Sequence, residues 1–580
     1  MKRFTSIAEG LLGLLALGAL VVVLTLTFGG RQKEIDLASQ AFHSPIETPT
    51  LVPYPPPGTP TPRPSPAPTI PPTFTPTPLP PIAWDPLPSC VNHPQDTTAW
   101  LRYVARGTED TGVVQELAAY LRQARPMSKA LQEVDVENLE SVLKTPDEAE
   151  EREVIRRELT VLWLNVMSGR LNRATEVRFR ALPEVYTVGD LIDELEQTWG
   201  KGCPTGSLLA ASKQIQTGQG ITRSACAHLM YLRWGNMINE TTWLGDELIE
   251  QSALFRPGDA EFPWIMSRLI PAPNYRWVAI ETGAYESGGP VQLFNLGTGK
   301  LLNLNRQVVP ASELTEGITL RHESANWYVI GWHPDAQHLL LGAEGVGAVF
   351  WVDLQNKSYR RITLVDSGGV SDKHLIDISP DGNGFVYVTG FLDSNKDQRI
   401  DFYDIRSGSS TALLTLPSGE GNLYFPRFSP TGDSVSYVVE TRHPNAEQAL
   451  YVFDLNTHTN RVLFKGAMDL REPVWSPDGR MIAFYKKNRE EQYVSIPSVG
   501  RLWFGNIWVV YVPSAEIEQV TFIKGGVAYR PRWAQDGRTL AFITHDGQIG
   551  LARVDHPEGI WLAATTSSDW PLFTSMFFLP

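Results

Sequence analysis

A chain of 580 residues with 42% hydrophobic and 10% aromatic residues can bury cores in two or more domains of ordinary size. Its formal charge of -14 at pH 7, with no basic run, excludes nucleic acid as a main partner, because phosphates repel an acidic protein that lacks a segregated basic face.

Lys2 and Arg3 precede an uncharged run from Gly10 to Gly30. At about 1.5 Å per residue this run just spans a hydrocarbon core of about 30 Å, which predicts a transmembrane signal anchor over 10–30. Residues 1–9 would then be a short cytoplasmic tail, and the bulk of the chain extracytoplasmic, either periplasmic or at the cell surface. Arg31 and Lys33 weaken that charge asymmetry. A cleaved signal peptide is the alternative, but its apolar region is usually about 7–15 residues long and "TFGGRQ" is a poor cleavage site.

Residues 31–83 form a linker, rich in Pro and Thr from 48 to 81, that favours extended polyproline II at about 3.1 Å per residue. It is a stalk. The three cysteines, Cys90, Cys203 and Cys226, fit no zinc spacing and predict one bridge and one spare thiol in an oxidising compartment, with the pairing open.

Over 84–255 the pattern predicts a smaller all-α module. Thr145 is a candidate cap with Pro146, Asp147 and Glu148 in the first turn of a helix whose apolar face carries Val154, Leu159, Leu162 and Val166. Thr187 and Asp190 suit a capping box at the next helix. The sequon at Asn239, Glu240 and Thr241 falls in what reads as helix.

From residue 263 onward one stretch recurs six times, as in "GWHPDAQHLLLG", "DISPDGNGFVYV" and "VWSPDGRMIAFY". The motif positions Pro273, Pro334, Pro380, Pro430, Pro477 and Gln535 are spaced 61, 46, 50, 47 and 58 residues apart, in the range of propeller blades. Pro presets the first central φ of a turn, Asp bonds its own backbone and Gly takes the left-handed position, so "SPDG" joins two strands. Two columns then align in period two: Val278, Leu339, Phe385, Val435, Ile482, Leu540, and Ile280, Leu341, Tyr387, Tyr437, Phe484, Phe542. Third and fourth strands follow, as in "ALYVFDLNTHTNRVLF". Apolar on both faces, such sheets must pack radially, which predicts an all-β propeller over 263–580 with six blades, seven being the alternative.

"WSPDGRMIAF", "NIWVVYV" and "EIEQVTF" resemble the WD40-like (PD40) repeat of TolB and of the propellers in tricorn and prolyl-oligopeptidase-type peptidases. The resemblance covers more than half the chain and implies a TolB-like propeller; because the family hosts many functions, it implies no single activity.

Three places carry candidate chemistry. "DSNKDQRIDFYD" in the third repeat, read as a calcium loop, places Asp393, Asn395, Asp397 and Asp401 as ligands with the Arg399 carbonyl, so a structural calcium ion is one reading and a solvated acidic turn the other. Gln398 stands where the loop wants glycine, and Asp404 aligns with the strand-ending Asp353 and Asp454. "YESGGP" around Ser287 resembles a serine-protease segment but lacks the leading glycine, the aspartate and the histidine context, and reads as a loop. The mouth of the propeller channel, predicted from the first-strand residues His374, Tyr424, Arg427, Arg471, Glu472, Arg530 and Arg532, with Tyr328 and Tyr529, is Arg-rich and aromatic and would suit an anionic peptide or glycan.

No Walker loop, zinc-protease helix or nucleophile elbow occurs. The expectation is a non-catalytic binding or scaffold protein of the cell envelope, with an envelope protein, peptide or glycan as partner. The alternatives are a propeller-based hydrolase of polysaccharide or peptide, or a subunit of an envelope or export complex.

Overall fold

The computed structural model describes residues 82–201, 206–233, 237–255, 266–284, 287–288, 291–304, 327–343, 348–364, 375–390, 396–441, 447–466, 473–488, 493–496, 500–565 and 575–580. The anchor and most of the stalk therefore lie outside the described residues, and among those described no helix is long and apolar enough to cross a membrane.

Seven antiparallel sheets with four strands on their main path make the propeller, correcting the expectation of six blades. Blade 1 joins Ala225–Arg233, Met237–Leu244 and Glu247–Phe255 to the C-terminal strand Met576–Phe578, and Leu229 pairs with Phe578 across the closure. Blades 2 to 7 occupy 266–303, 327–363, 376–416, 422–466, 474–519 and 528–565. A two-stranded hairpin, Tyr493–Ile496 with Gly500–Trp503, is inserted in blade 6.

The helical reading of 217–255 is corrected for the same reason. The proline motif marks the turn between the first and second strands of a blade, and in blade 1 those strands come from opposite ends of the chain. That turn cannot exist there, so the blade lacks its signature. The sequon consequently lies in the strand Met237–Leu244, and Asn239 is only 2% exposed, with Nδ2 3.4 Å from Glu250 Oε1.

The two period-two columns are the inter-blade core: none of their twelve residues is more than 2% exposed. Burying each large apolar side chain contributes about 1.5–3 kcal/mol, which is what holds neighbouring sheets together face to face. In the motif turns, Gly382, Gly432, Gly479 and Gly537 have φ of 75°, 75°, 73° and 63°. The two copies without glycine still adopt this conformation, at Tyr275 (φ 51°) and Ala336 (φ 56°).

Ahead of the propeller lie the helices Thr97–Arg106, Thr111–Ala124, Val136–Leu143, Glu151–Met167, Val188–Lys201 and Gly206–Gln216. Glu151–Met167 is the central one, buried on most of its circumference, including Val154, Leu159, Leu162 and Val166. It begins at Glu151, not near Thr145, because Asp147 is engaged elsewhere: its carboxylate takes Arg157 Nη2 at 2.6 Å and Lys213 Nζ at 2.7 Å. Thr187 and Asp190 do form the reciprocal cap, with Asp190 N donating to Thr187 Oγ1 at 3.1 Å and Thr187 N to Asp190 Oδ2 at 2.8 Å.

The helical layer is tied to the propeller. Cys90 and Cys226 are disulfide-bonded with Cα atoms 5.8 Å apart. Beside the bridge, Thr175 Oγ1 donates to Asn92 Oδ1 at 2.8 Å and Asn92 Nδ2 donates to Ala225 O at 3.2 Å. Upstream, Asp85 pairs in both directions with Ile560 along blade 7 (2.9 and 3.0 Å), and Trp84 stacks near Phe542. Cys203 lies outside the described residues.

Candidate functional site: a capped channel and the seam beside it

All six motif positions, Pro273, Pro334, Pro380, Pro430, Pro477 and Gln535, line one cavity of ≈ 340 Å³, shared with Arg122, Gln123, Pro126, Met127 and Met167 of the helical layer. Repetition of a turn around the ring brings its prolines to one place, facing Arg122 and Gln123 of the helix Thr111–Ala124 and Pro126 and Met127 of the 3₁₀ turn that follows it. Burial holds the Arg122 guanidinium below its usual value, with Asp433 opposing the shift. This end of the channel is capped.

Inside the ring the charged groups are used between blades. Glu281, 3% exposed, accepts the Val329 N–H of the next blade at 2.7 Å and faces Arg268 at 3.4 Å. Asp377 accepts the Phe428 N–H at 2.9 Å, and burial pushes its carboxyl up while Arg427 and Arg268 oppose the shift. Of the expected mouth residues, Arg427 reaches back to blade 4 and donates to the Ile376 carbonyl at 2.9 Å. Arg532 donates to the Pro531 carbonyl at 2.9 Å, Tyr424 packs against Phe425, and Arg530 lies 6.0 Å from the Tyr529 ring. Arg427 and Arg532 sit at register shifts in the first strands of blades 5 and 7, where Phe425 and Arg530 take φ of 51° and 54°. His374, Arg471 and Glu472 lie outside the described residues.

The acidic loop is only partly described, since Asp393 and Asn395 fall outside. Asp401 is in the strand Gln398–Asp404 and its carboxylate faces Arg399 at 3.3 and 3.2 Å. Asp397 accepts the Ser418 N–H at 2.9 Å, and Asp404 ends the strand by accepting the Ser407 N–H at 2.6 Å. Ser287 is in a two-residue strand.

Sequence reasoning missed the seam between the helical layer and blade 7. A cavity of ≈ 190 Å³ is lined there by Trp100, Tyr103, Glu116, Tyr120 and Arg170 from the helical side and by Asp536, Arg538 and Arg553 from blade 7. The helical layer sits close: Gly169, at φ 70°, has its α-carbon where a Cβ would lie 2.5 Å from Asp536 Cβ. Each oxygen of Glu116 accepts one phenol, the Tyr103 hydroxyl at 2.6 Å on Oε2 and the Tyr120 hydroxyl on Oε1. Burial, with Glu116 adding to it, pushes the Tyr103 phenol up to about 12 and Tyr120 further up. Two donors remain: the buried Trp100 Nε1 and Arg170 Nε have no hydrogen-bond partner among the described residues. The cavity continues past the disulfide into a groove of ≈ 790 Å³ with Trp243, Trp561, Arg553, Asp555 and His556, where the two indoles lie 6.0 Å apart. Asp555 is held by Arg553 through two bonds of 2.8 and 2.7 Å.

No family model matches the chain. It is 30% identical over 114 residues to the Tol-Pal system protein TolB of Alcanivorax borkumensis, covering 20% of this chain and 23% of that protein. It is 24% identical over 190 residues to the uncharacterized peptidase YuxL of Bacillus subtilis (28% of each) and 24% over 189 residues to the uncharacterized protein Atu1656 of Agrobacterium fabrum (31% and 60%). The chain thus spans less than two thirds of each of these relatives. Among solved structures, TolB from Acinetobacter baumannii is similar at 15% identity and TM-score 0.34 (64% of this chain, 73% of that one), and an oligogalacturonate lyase in complex with manganese at 14% and 0.39 (56% and 81%). The chain folds as a seven-bladed propeller, and a fifth of it is similar in sequence to TolB.

Proposed function

We propose that this chain is a non-catalytic binding protein of the cell envelope, anchored in the membrane through residues 10–30 and holding its propeller outside the cytoplasm on the Pro/Thr stalk. Its ligand presents a carboxylate or a cluster of hydroxyls, from an acidic peptide or a glycan, and binds in the seam between the helical layer and blade 7. The observation that carries this reading is the group of donors there: Trp100 Nε1 and Arg170 Nε have no acceptor among the described residues, Arg538 adds its guanidinium, and each oxygen of Glu116 already accepts a phenol. A buried donor without a partner costs about 1–3 kcal/mol, a penalty that an incoming acceptor removes. The Cys90–Cys226 bridge supports the extracytoplasmic placement, because such bonds persist in oxidising compartments.

The purified full-length chain should bind members of acidic-peptide or uronate-oligosaccharide arrays, with quenching of Trp fluorescence and no change in the mass of the bound ligand. Arg538→Ala should weaken that binding at least tenfold. Turnover of the ligand would favour the hydrolase reading, and binding that is indifferent to Arg538→Ala would remove the seam as the site.

A further inference from the structure

The first turn of blade 3 departs from the repeat in a way that its turn chemistry does not require. In blades 4 and 6 the residue before the motif proline is serine, and Ser379 Oγ and Ser476 Oγ close the turn by donating to Asp381 and Asp478 and accepting the N–H groups of Gly384 and Met481. In blade 3 that position is His333, and the residue that faces it across the turn is His338, paired through His333 N to His338 O at 3.0 Å. Cross-strand partners project from the same side of a ladder, so the backbone itself presents both imidazoles together.

Between them stands Asp335. Its Oδ1 lies 2.9 Å from His333 Nδ1 and its Oδ2 2.7 Å from His338 Nδ1. His333 Nδ1 also lies 3.2 Å from the Asp335 backbone nitrogen. The other edge of the His333 ring is fixed: a Cβ on Gly382 would lie 2.1 Å from Cδ2 and Nε2, so only glycine there lets the ring lie flat against the next turn. Trp351 packs against both histidines, at 5.3 and 5.2 Å between centroids.

We propose that His333, His338 and Asp335 form a site for a borderline divalent transition-metal ion of the zinc class. Their ligand atoms all lie within 4.8 Å of one another, and zinc with bonds of about 2.0–2.1 Å needs its ligands about 3.3 Å apart. Two imidazoles and one carboxylate select zinc, cobalt or nickel over calcium or magnesium, which take oxygen ligands. Asp353 on the third strand adds a nearby negative charge, its Oδ2 3.6 Å from His338 Nε2 while it accepts Asn356 Nδ2 at 2.8 Å. Side-chain exposures of 23%, 26% and 35% for His333, His338 and Asp335 leave the site open to solvent, with a fourth position for water.

The test uses the full-length chain after EDTA treatment and dialysis, titrated with Co²⁺ and Zn²⁺ as the only probes. One equivalent of Co²⁺ should produce visible d–d absorption that Zn²⁺ displaces, and Zn²⁺ should protect His333 and His338 from diethylpyrocarbonate. His333→Ser and His338→Thr install residues that the repeat itself carries at these positions, so the turn should persist while affinity falls at least a hundredfold. The proposal is overturned if the wild-type chain takes up neither ion, if the double variant binds as well as wild type, or if protection falls on other histidines.

Discussion

Gln535 donates from Nε2 to the Tyr275 hydroxyl at 2.9 Å, joining two motif turns 260 positions apart in sequence, on the blades that flank the ring closure. The same amide reaches Phe578 O of the closing strand at 3.4 Å. Gln535 is the one motif position without proline, and this bridge is the reason.

The turn at 535 is built for proline, so Gln535→Pro removes the bridge and leaves the backbone geometry intact. It should destabilise the chain by about 0.5–1.5 kcal/mol, because the part-buried Tyr275 hydroxyl then lacks its donor. Denaturant unfolding of Gln535→Pro, Tyr275→Phe and the pair should show coupling. Strictly additive effects would mean that the bridge contributes nothing.

Cys90 and Cys226 close a loop with a sequence separation of 136. Reduction, or Cys226→Ser, should lower stability by about 2–5 kcal/mol and loosen the helical layer from blade 1. Hydrogen exchange at residues 90–95 and 225–229 should rise first. Exchange that rises evenly over the whole chain would contradict a local clamp.

Glu158 is fully buried and shared by Arg157 (2.7 Å), Ser212 Oγ (2.9 Å) and Gln216 Nε2 (2.5 Å). Glu158→Ala leaves Ser212 and Gln216 without their buried acceptor and Arg157 paired with Asp147 alone, and should cost about 2–4 kcal/mol, whereas Glu158→Gln, which keeps an acceptor, should cost less. Equal losses in urea melts would show that packing, not charge, governs the site.

Hydrogen bonds from Lys213 and Arg157 hold the Asp147 carboxyl at about 2. A carboxyl with a lowered folded pKa adds stability above its unfolded value near 4 and loses it as pH falls toward about 2. Tyr103 runs the other way: held up to about 12, it retains its stabilising proton below about 10 and loses that contribution as pH rises toward about 12. Asp147→Asn should flatten the acid limb of a melting-temperature profile and Tyr103→Phe the alkaline limb. Asp147 is 57% exposed, so the acid effect will be modest and reduced by salt.

Ala336 occupies a left-handed position at φ 56° that four other copies give to glycine. Ala336→Gly should relieve strain and raise stability by about 0.5–1 kcal/mol, set against the extra chain entropy of glycine. A fall in melting temperature would show that the Ala336 methyl, packed with Trp332 and Leu339, outweighs the strain.

The propeller was legible in the residues because its signals are local: the proline, aspartate and glycine that recur in most of the turns fix φ over four positions, and the period-two columns after them are the buried faces of the blades. The departures at His333 and His338 were also readable, as two imidazoles five apart flanking one motif aspartate. Blade 1 was not, because its first and second strands meet only when the ends of the chain meet, and no turn records that pairing. The cap over the channel and the seam with Trp100, Arg170 and Arg538 were decided by tertiary packing alone. Local turn chemistry is written in a few neighbouring residues, but which buried donors are left without acceptors depends on surfaces hundreds of positions apart coming into contact.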